Sequence, residues 1–395
     1  MTNDLAHVEI SKENIAYNFT NIKSLLRKKV RLMAVVKSNA YGHGLVEFAQ
    51  EAVKNGADYL GVVNIDEAIA LREARIIKPI LVLGYVPIER VVEAAKNYID
   101  IAVVDQEYAV NLIKLKFSTK LRVHLKVETG INRLGIKRAN ILSVYKELSK
   151  SKKIDIIGLY SHLASVEENN LDYTANQFQE FGEIIKLLKI NNIEIPLKHI
   201  AASGAALLFP ESHFDMVRMG IICYGLWPSG ENKASFLENA DVDLPKPFIK
   251  PVLSYKTKIA QIKEVSSGFI GYGCTYRITK EMRLAIIPIG YYEGLDRGLS
   301  CSTTSKKVTK TERTGCGNVI ISGAICPIVG RICMNMTIID ISKLNPRTVH
   351  VGDEVVIIGK QGNKEISAEE MAQKIDTINY EVVARIPEHI PRIYV

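Results

Sequence analysis

Eight short apolar runs fall within the first 225 residues, separated by amphipathic stretches of helical period, and no other feature constrains the fold as tightly. The runs are Leu32–Lys37, Tyr59–Asn64, Ile80–Gly84, Ile99–Asp105, Leu121–Val127, Ile154–Ser161, Leu197–Ala201 and Met216–Ile222. Most are continuous rather than alternating, as expected of strands covered on both faces. Helical patterns such as 67–74, 89–97, 139–148 and 173–188 lie between them. Parallel strands need such crossovers, because a tight turn cannot join them. Eight units in this length predict an α/β fold, a (β/α)8 TIM-type barrel, with a doubly wound open sheet as the alternative. Asp66 is expected to cap the helix that starts at Glu67. A helical segment, 11–29, precedes the first run, and the strand-like His7–Ile10 is expected to pair outside the barrel.

The pattern changes near Leu226. Pro228–Ser235 reads as a connection, and β patterns with glycine turns follow at 252–265, 283–289, 319–322, 338–341 and 349–358. Lys360-Gln-Gly-Asn is a hairpin signal. One helix, 368–374, is expected behind the capping-box-like Ser367-Ala-Glu-Glu. The chain of 395 residues is therefore expected to form two domains, a barrel over 1–242 and a mainly β C-terminal domain over 243–395.

Composition narrows the function. With 47% apolar and 24% charged residues the chain is an ordinary globular one, so disorder and coiled coil are excluded as its main content. No apolar stretch approaches the ~20 residues of a membrane helix. The formal charge of +8 is mild and spread along the chain, and the basic cluster Lys306, Lys307 and Lys310 falls in a polar Ser/Thr-rich stretch that reads as a solvated loop. A small-molecule partner is expected, rather than nucleic acid or a membrane. The N-terminus lacks the basic and apolar regions of a signal peptide, which predicts a cytoplasmic location. The six cysteines, with no CxxC pair, are then expected to be reduced thiols. Among the eight histidines no HxH pair exists, so no metal is expected.

The sharpest local string is Ala34-Val-Val-Lys-Ser-Asn-Ala-Tyr-Gly-His-Gly44, which sets Lys37 at the C-terminal end of the first run. Barrel active sites are built at that end. A lysine desolvated there loses basicity and becomes a nucleophile, whereas a strand-end lysine reaching solvent is the plain alternative.

The string resembles the pyridoxal-phosphate lysine motif of the alanine racemases, and the resemblance spans almost the whole chain. Val127-Glu-Thr-Gly-Ile-Asn-Arg-Leu-Gly135, Ser161-His-Leu-Ala164, His199-Ile-Ala-Ala-Ser-Gly204 and Met216-Val-Arg-Met-Gly-Ile-Ile-Cys-Tyr-Gly225 continue it. Gly271-Tyr-Gly-Cys-Thr-Tyr276, Ile287-Pro-Ile-Gly-Tyr-Tyr-Glu-Gly294, Gly330-Arg-Ile-Cys-Met-Asn335 and Thr377-Ile-Asn-Tyr-Glu381 follow in the same order. Nine segments in register make a specific match to a family with a barrel followed by a β domain.

The resemblance implies residue roles. Lys37 would hold pyridoxal 5'-phosphate covalently and serve as one catalytic base. Tyr272, from the second subunit of a homodimer with shared sites, would serve the opposite face. Ser203, Gly220 and Ile221 would cradle the phosphate, with Tyr41 and Tyr380 beside it. Arg218 would face the pyridine nitrogen. Because a guanidinium keeps its protons, that nitrogen stays unprotonated, a weaker electron sink results, and transamination is disfavoured. His162 would support Arg218 or the ring. Arg133 and the Met334 backbone N–H would hold the substrate carboxylate. Lys126 occupies the place where family members often carry a carbamylated lysine that orients the arginine. Tyr291, Arg331 and Ile378 resemble the entry channel.

Four departures from the family pattern are visible: Asn335 for Asp, Ala202 for Asn, Tyr292-Glu293 for Ala-Asp, and Gly271 for Ser. The implied activity is interconversion of L- and D-alanine, an isomerase step that supplies D-alanine for peptidoglycan and the cell wall. A racemase for serine or a broader amino-acid set is the near alternative. A barrel-type decarboxylase is the more distant one, and it should place a carboxylate where Arg218 stands.

Overall fold

The computed structural model describes residues 5–239, 244–303 and 316–395. The expected domain boundary at 242/243 and the Lys306, Lys307 and Lys310 cluster lie outside the described residues. The first nine described strands are β1 (Ala6–Ile10), β2 (Arg31–Val35), β3 (Tyr59–Val62), β4 (Ile80–Val82), β5 (Ile99–Val103), β6 (Leu121–Lys126), β7 (Ile154–Tyr160), β8 (Leu197–His199) and β9 (Met216–Met219). Each of the eight apolar runs coincides with one strand, β2 starting one residue early at Arg31, and each strand stops one to three residues before its run ends. Those last residues leave the sheet and form the loops at the strands' C-terminal ends.

β2 to β8 lie side by side in chain order and β9 returns to β2, all in parallel. Between β9 and β8 the ring is completed by a single bridge, Ala202 to Arg218, where Arg218 N donates to Ala201 O at 3.0 Å. The fold is thus a nearly closed eight-stranded barrel, and the open sheet is excluded.

Two local readings need correction. The helix Ile65–Glu73 is capped by Asn64, not Asp66: Asn64 is extended and its side chain accepts from Glu67 N at 2.8 Å. Asp66 sits inside the first turn, where its charge complements the helix dipole. Pro228–Ser235 is no mere connection, because a helix runs over Gly230–Asn239. Its polar composition hid that it buries Phe236 and Asn232, the latter donating to Val166 O at 2.9 Å.

Contacts divide the chain into two compact units, one of 13–40 and 45–250, the other of 1–12, 41–44 and 251–395. In the second unit, β1 pairs antiparallel with Leu253–Lys258 and parallel with Arg392–Tyr394 within a seven-stranded sheet. The 360–363 signal is a hairpin, with Gln361 opposite Lys364 and Gly362 at φ +61°. Ser367 caps the helix Ala368–Ile375, accepting from Glu370 N at 3.0 Å. A second helix, Asn379–Ala384, follows where only one was expected, since six residues are too few to show a period. Cys301 and Cys316 form a disulfide, their Cα atoms 4.7 Å apart, where reduced thiols were expected. Compartment reasoning describes the average cysteine, whereas pairing needs only two that the fold brings together. Among the described residues no helix is long and apolar enough to cross a membrane.

Candidate active site

Lys37 opens the loop after β2, and the backbone that follows is exceptional. Ser38, Asn39, Ala40 and Tyr41 all have φ between +51° and +57°. Left-handed backbone costs a side-chain-bearing residue roughly 1–2 kcal/mol, and it normally occurs singly. Four in succession persist only where the surroundings hold them. Glu67 supplies part of that hold. Its Oε1 accepts from Ser38 N at 2.5 Å and Asn39 N at 3.2 Å, and its Oε2 accepts from Val63 N at 3.0 Å. Asn39 Oδ1 in turn accepts from Leu45 N at 2.8 Å. Burial depresses the Lys37 amine below the ordinary lysine value, Arg133 pushes it the same way, and Glu67 opposes both.

Arg218 projects from β9 and is 4% exposed. Its Nη1 donates to His199 O at 3.0 Å and to His199 Nδ1 at 3.1 Å. Its Nη2 donates to Ser161 O at 2.7 Å, Ile200 O at 2.9 Å and His162 Nδ1 at 3.2 Å. Both Nη groups are therefore committed. The Nε–H has no hydrogen bond among the described residues, so it is the donor left for a ligand acceptor. The guanidinium also lies 5.4 Å from the centroid of the Tyr160 ring, which stacks on His199. Burial lowers its pKa to about 10, and it stays a cation at neutral pH. His162 and His199 are pushed well below the usual imidazole value, first by burial and then by Arg218, so both rings are neutral.

The same site is rich in positive charge. Lys126 ends β6, 4% exposed, and burial together with Arg133 and Arg218 brings its amine down to about 8. Arg133 lies on the 128–135 loop, which is tied back to the strand by Ile136 N donating to Lys126 O at 2.7 Å. His162 feels Arg218, Arg133, Lys126 and Lys37 together. Such a concentration of cations suits an anionic ligand.

A cradle for one anionic group lies after β8 and β9. Ser203 opens the helix Ser203–Leu208, and its Oγ accepts from Gly220 N at 3.0 Å. The first N–H groups of that helix have no intrahelical acceptor. A Cβ at Gly204 would meet Asn232 Oδ1 at 2.6 Å, so a side chain there would displace the Asn232 amide. Gly220 and Ile221 supply backbone beside them. Hydroxyl and amide donors of this kind are suited to a phosphate.

The remaining expected residues belong to the second unit. The rings of Tyr41 and Tyr380 lie 6.1 Å apart. Tyr272 is 70% exposed on a turn that packs close to Arg331. Met334, Tyr291 and Ile378 are also exposed. Tyr291 N donates to Cys333 O at 3.1 Å and Tyr292 N to Met334 O at 2.9 Å, which joins two of the expected segments. Two departures meet here: Asn335 Nδ2 donates to Glu293 Oε1 at 2.7 Å, while Glu293 Oε2 accepts from Gly290 N at 2.8 Å. An amide beside the longer acid makes a hydrogen bond where two carboxylates would repel. The ring of Tyr292 stacks on His389 at 5.1 Å.

The residues absent from the sequence reading of the site are Glu67 and the buried group behind Arg218, namely His199, His124, Tyr59 and Asp100. A polar residue inside an otherwise apolar run was the available signal for Asp100 and His124.

Comparison with known proteins agrees in both units. Residues 10–228 match the family model described as alanine racemase, N-terminal domain, and 252–394 that of the C-terminal domain. An alanine racemase of Caldanaerobacter subterraneus subsp. tengcongensis is 38% identical, over 98% of this chain and 94% of that protein. One from Methanococcus maripaludis is 37% identical, over 98% and 97%. Among solved structures, the Bacillus anthracis alanine racemase with bound L-Ala-P has a TM-score of 0.87 at 35% identity, covering 100% of this chain and 96% of that one. The Clostridium difficile 630 enzyme also gives 0.87, at 32% identity and with 100% and 97% covered.

Proposed function

The chain belongs to the alanine racemase family and is an isomerase that interconverts L- and D-alanine, and from that premise we propose how its residues divide the work. The observation that carries the proposal is the buried Arg218, with both Nη groups engaged and its Nε–H without a hydrogen bond among the described residues. It can donate to a ring nitrogen but has no proton to release to it.

The residues fit pyridoxal 5'-phosphate. Lys37 would hold it covalently. The Ser203 hydroxyl and the backbone at Gly204, Gly220 and Ile221 would bind its phosphate, helped by Tyr41 and Tyr380. Bound there, the cofactor supplies an electron sink that acidifies the substrate Cα–H.

The depressed basicity of Lys37 leaves a larger share of neutral amine, which can take a proton from one face of the substrate. Tyr272 serves the other face. Its high exposure supports a role outside its own chain, in the site of a partner subunit, and so a homodimer with shared sites. Arg133 and the Met334 N–H hold the substrate carboxylate, and Lys126 orients Arg133 as its carbamate. His162, neutral and bonded to Arg218, keeps that guanidinium in place. Tyr291, Arg331 and Ile378 line the entry. The barrel domain ends at residue 242 and the β domain follows from 243, with β1 paired into the β domain's sheet. The enzyme works in the cytoplasm, and its product serves peptidoglycan synthesis. Incubation with L-alanine and pyridoxal phosphate, followed by chiral analysis, tests the reading, with L-serine and L-lysine as competitors. D-alanine should form fastest. Preferential turnover of another amino acid, or release of CO2, would overturn it.

A further inference from the structure

Behind Arg218 the barrel interior contains a line of buried polar groups that the racemase reaction does not use directly. His199 Nε2 lies 3.0 Å from His124 Nδ1. His124 Nε2 lies 3.4 Å from Tyr59 Oη and 3.8 Å from Asp100 Oδ2. The Tyr59 hydroxyl donates to Asp100 Oδ2 and accepts from Arg122 Nη2 at 2.9 Å. Arg122 also pairs with Asp100 at 3.3 Å. Tyr59, Asp100, His124 and His199 are each wholly buried.

The donors and acceptors permit one assignment only. A guanidinium donates and never accepts. Its contact with His199 Nδ1 therefore makes that nitrogen an acceptor and leaves the single imidazole proton on Nε2. That proton faces His124 Nδ1, which must accept, so the proton of His124 is also on Nε2. It faces the Tyr59 hydroxyl and the Asp100 carboxylate. Every bond thus runs the same way, from the cation at the site to the carboxylate across the barrel. Arg218 itself has no carboxylate within ion-pair distance among the described residues, although a buried cation is costly without compensation. The chain's backbone is built around this line. The register of β6 on β7 shifts between Val123 and His124, and a Cβ at the facing Gly158 would fall on the His124 ring.

We propose that Asp100, Tyr59, His124 and His199 form a one-way hydrogen-bond relay that fixes the plane of the Arg218 guanidinium, which makes His124 and His199 positioning residues for racemisation. The relay locks His199 as an acceptor toward Nη1. With His162 and the carbonyls it occupies both Nη groups and leaves only Nε–H for the ligand. The functional half of this inference rests on the placement of Arg218 at the cofactor ring. The tautomer pattern does not.

Two measurements test it on the full-length, cofactor-loaded enzyme. Nitrogen-15 NMR with labelled histidine should show His124 and His199 neutral at pH 7, each protonated at Nε2 and bare at Nδ1. A proton on Nδ1 of either ring would overturn the relay. In the second, His124→Leu should lower kcat about tenfold, the order expected from one lost charge-linked hydrogen bond. KM should stay within twofold, and the visible absorption band of the bound cofactor should shift. His124→Gln, which can still donate toward Tyr59, should recover most of both. Unchanged kcat and spectrum in the leucine variant, or a loss that glutamine does not relieve, would count against a positioning role. Should the leucine variant fail to fold, the NMR pattern of the unaltered enzyme still decides the matter. Should the unaltered enzyme lack racemase activity, the failure lies with the functional reading and not with the relay.

Discussion

Supplying carbon-13 bicarbonate at pH 8 should label Lys126 as its carbamate. Only a neutral amine attacks CO2. Lys126 is buried beside Arg133 and Arg218, and its pKa falls to about 8. The sign follows directly, because the lysine loses its proton as pH rises through that value. At pH 8 about half of it is neutral, against roughly 0.4% of an unperturbed lysine with pKa ~10.4. The site thus presents on the order of a hundred times more nucleophile than an ordinary surface lysine. The product is favoured as well, since it replaces a cation among Lys37, Arg133 and Arg218 with an anion. A carbamate resonance should appear in the carbon-13 spectrum, strengthen between pH 7 and 8 at fixed dissolved CO2, and vanish in Lys126→Gln. No resonance in the unaltered enzyme, or the same one in the glutamine variant, would refute the reasoning.

Other consequences can be checked with single substitutions. Lys37→Ala should lose the visible band of the lysine-bound cofactor and turnover together, as read by absorption and chiral analysis; retention of either would remove Lys37 from the centre of the chemistry. Glu67→Gln should cost about 1–3 kcal/mol in denaturant unfolding, because its single amide oxygen can serve either Ser38 and Asn39 or Val63, and the amide nitrogen cannot accept from the N–H left facing it. It should also weaken cofactor retention in dialysis, and an unchanged midpoint with full retention would mean that the left-handed turn holds itself.

The barrel was legible because strands covered on both faces are largely apolar, and most of the eight runs are continuous. Their ends were less so, because the last residues of each run, Lys37 among them, serve the loop. The same apolar character concealed the relay. Asp100 sits in Ile99-Asp-Ile-Ala-Val and His124 in Leu121-Arg-Val-His-Leu, where each reads as an interruption of a strand. Only the register shift at His124 and the missing side chain at Gly158 explain how the ring fits. Glu67 read as the start of a helix, yet its carboxylate reaches back to the turn beside Lys37, a contact with no local pattern. The Cys301–Cys316 pair was hidden for a like reason, since the fold joins them and no short spacing does. Asn335 and Glu293 looked like two separate departures, and only the geometry makes them one hydrogen-bonded pair.

The central claim is that a lysine and a tyrosine act on opposite faces of one substrate carbon. It is tested most directly by following α-deuterium uptake from D2O by Tyr272→Phe, starting separately from L- and D-alanine. Exchange should survive from one enantiomer while it collapses from the other, with the cofactor band intact. Equal loss from both would contradict the claim and remove Tyr272 from the second face.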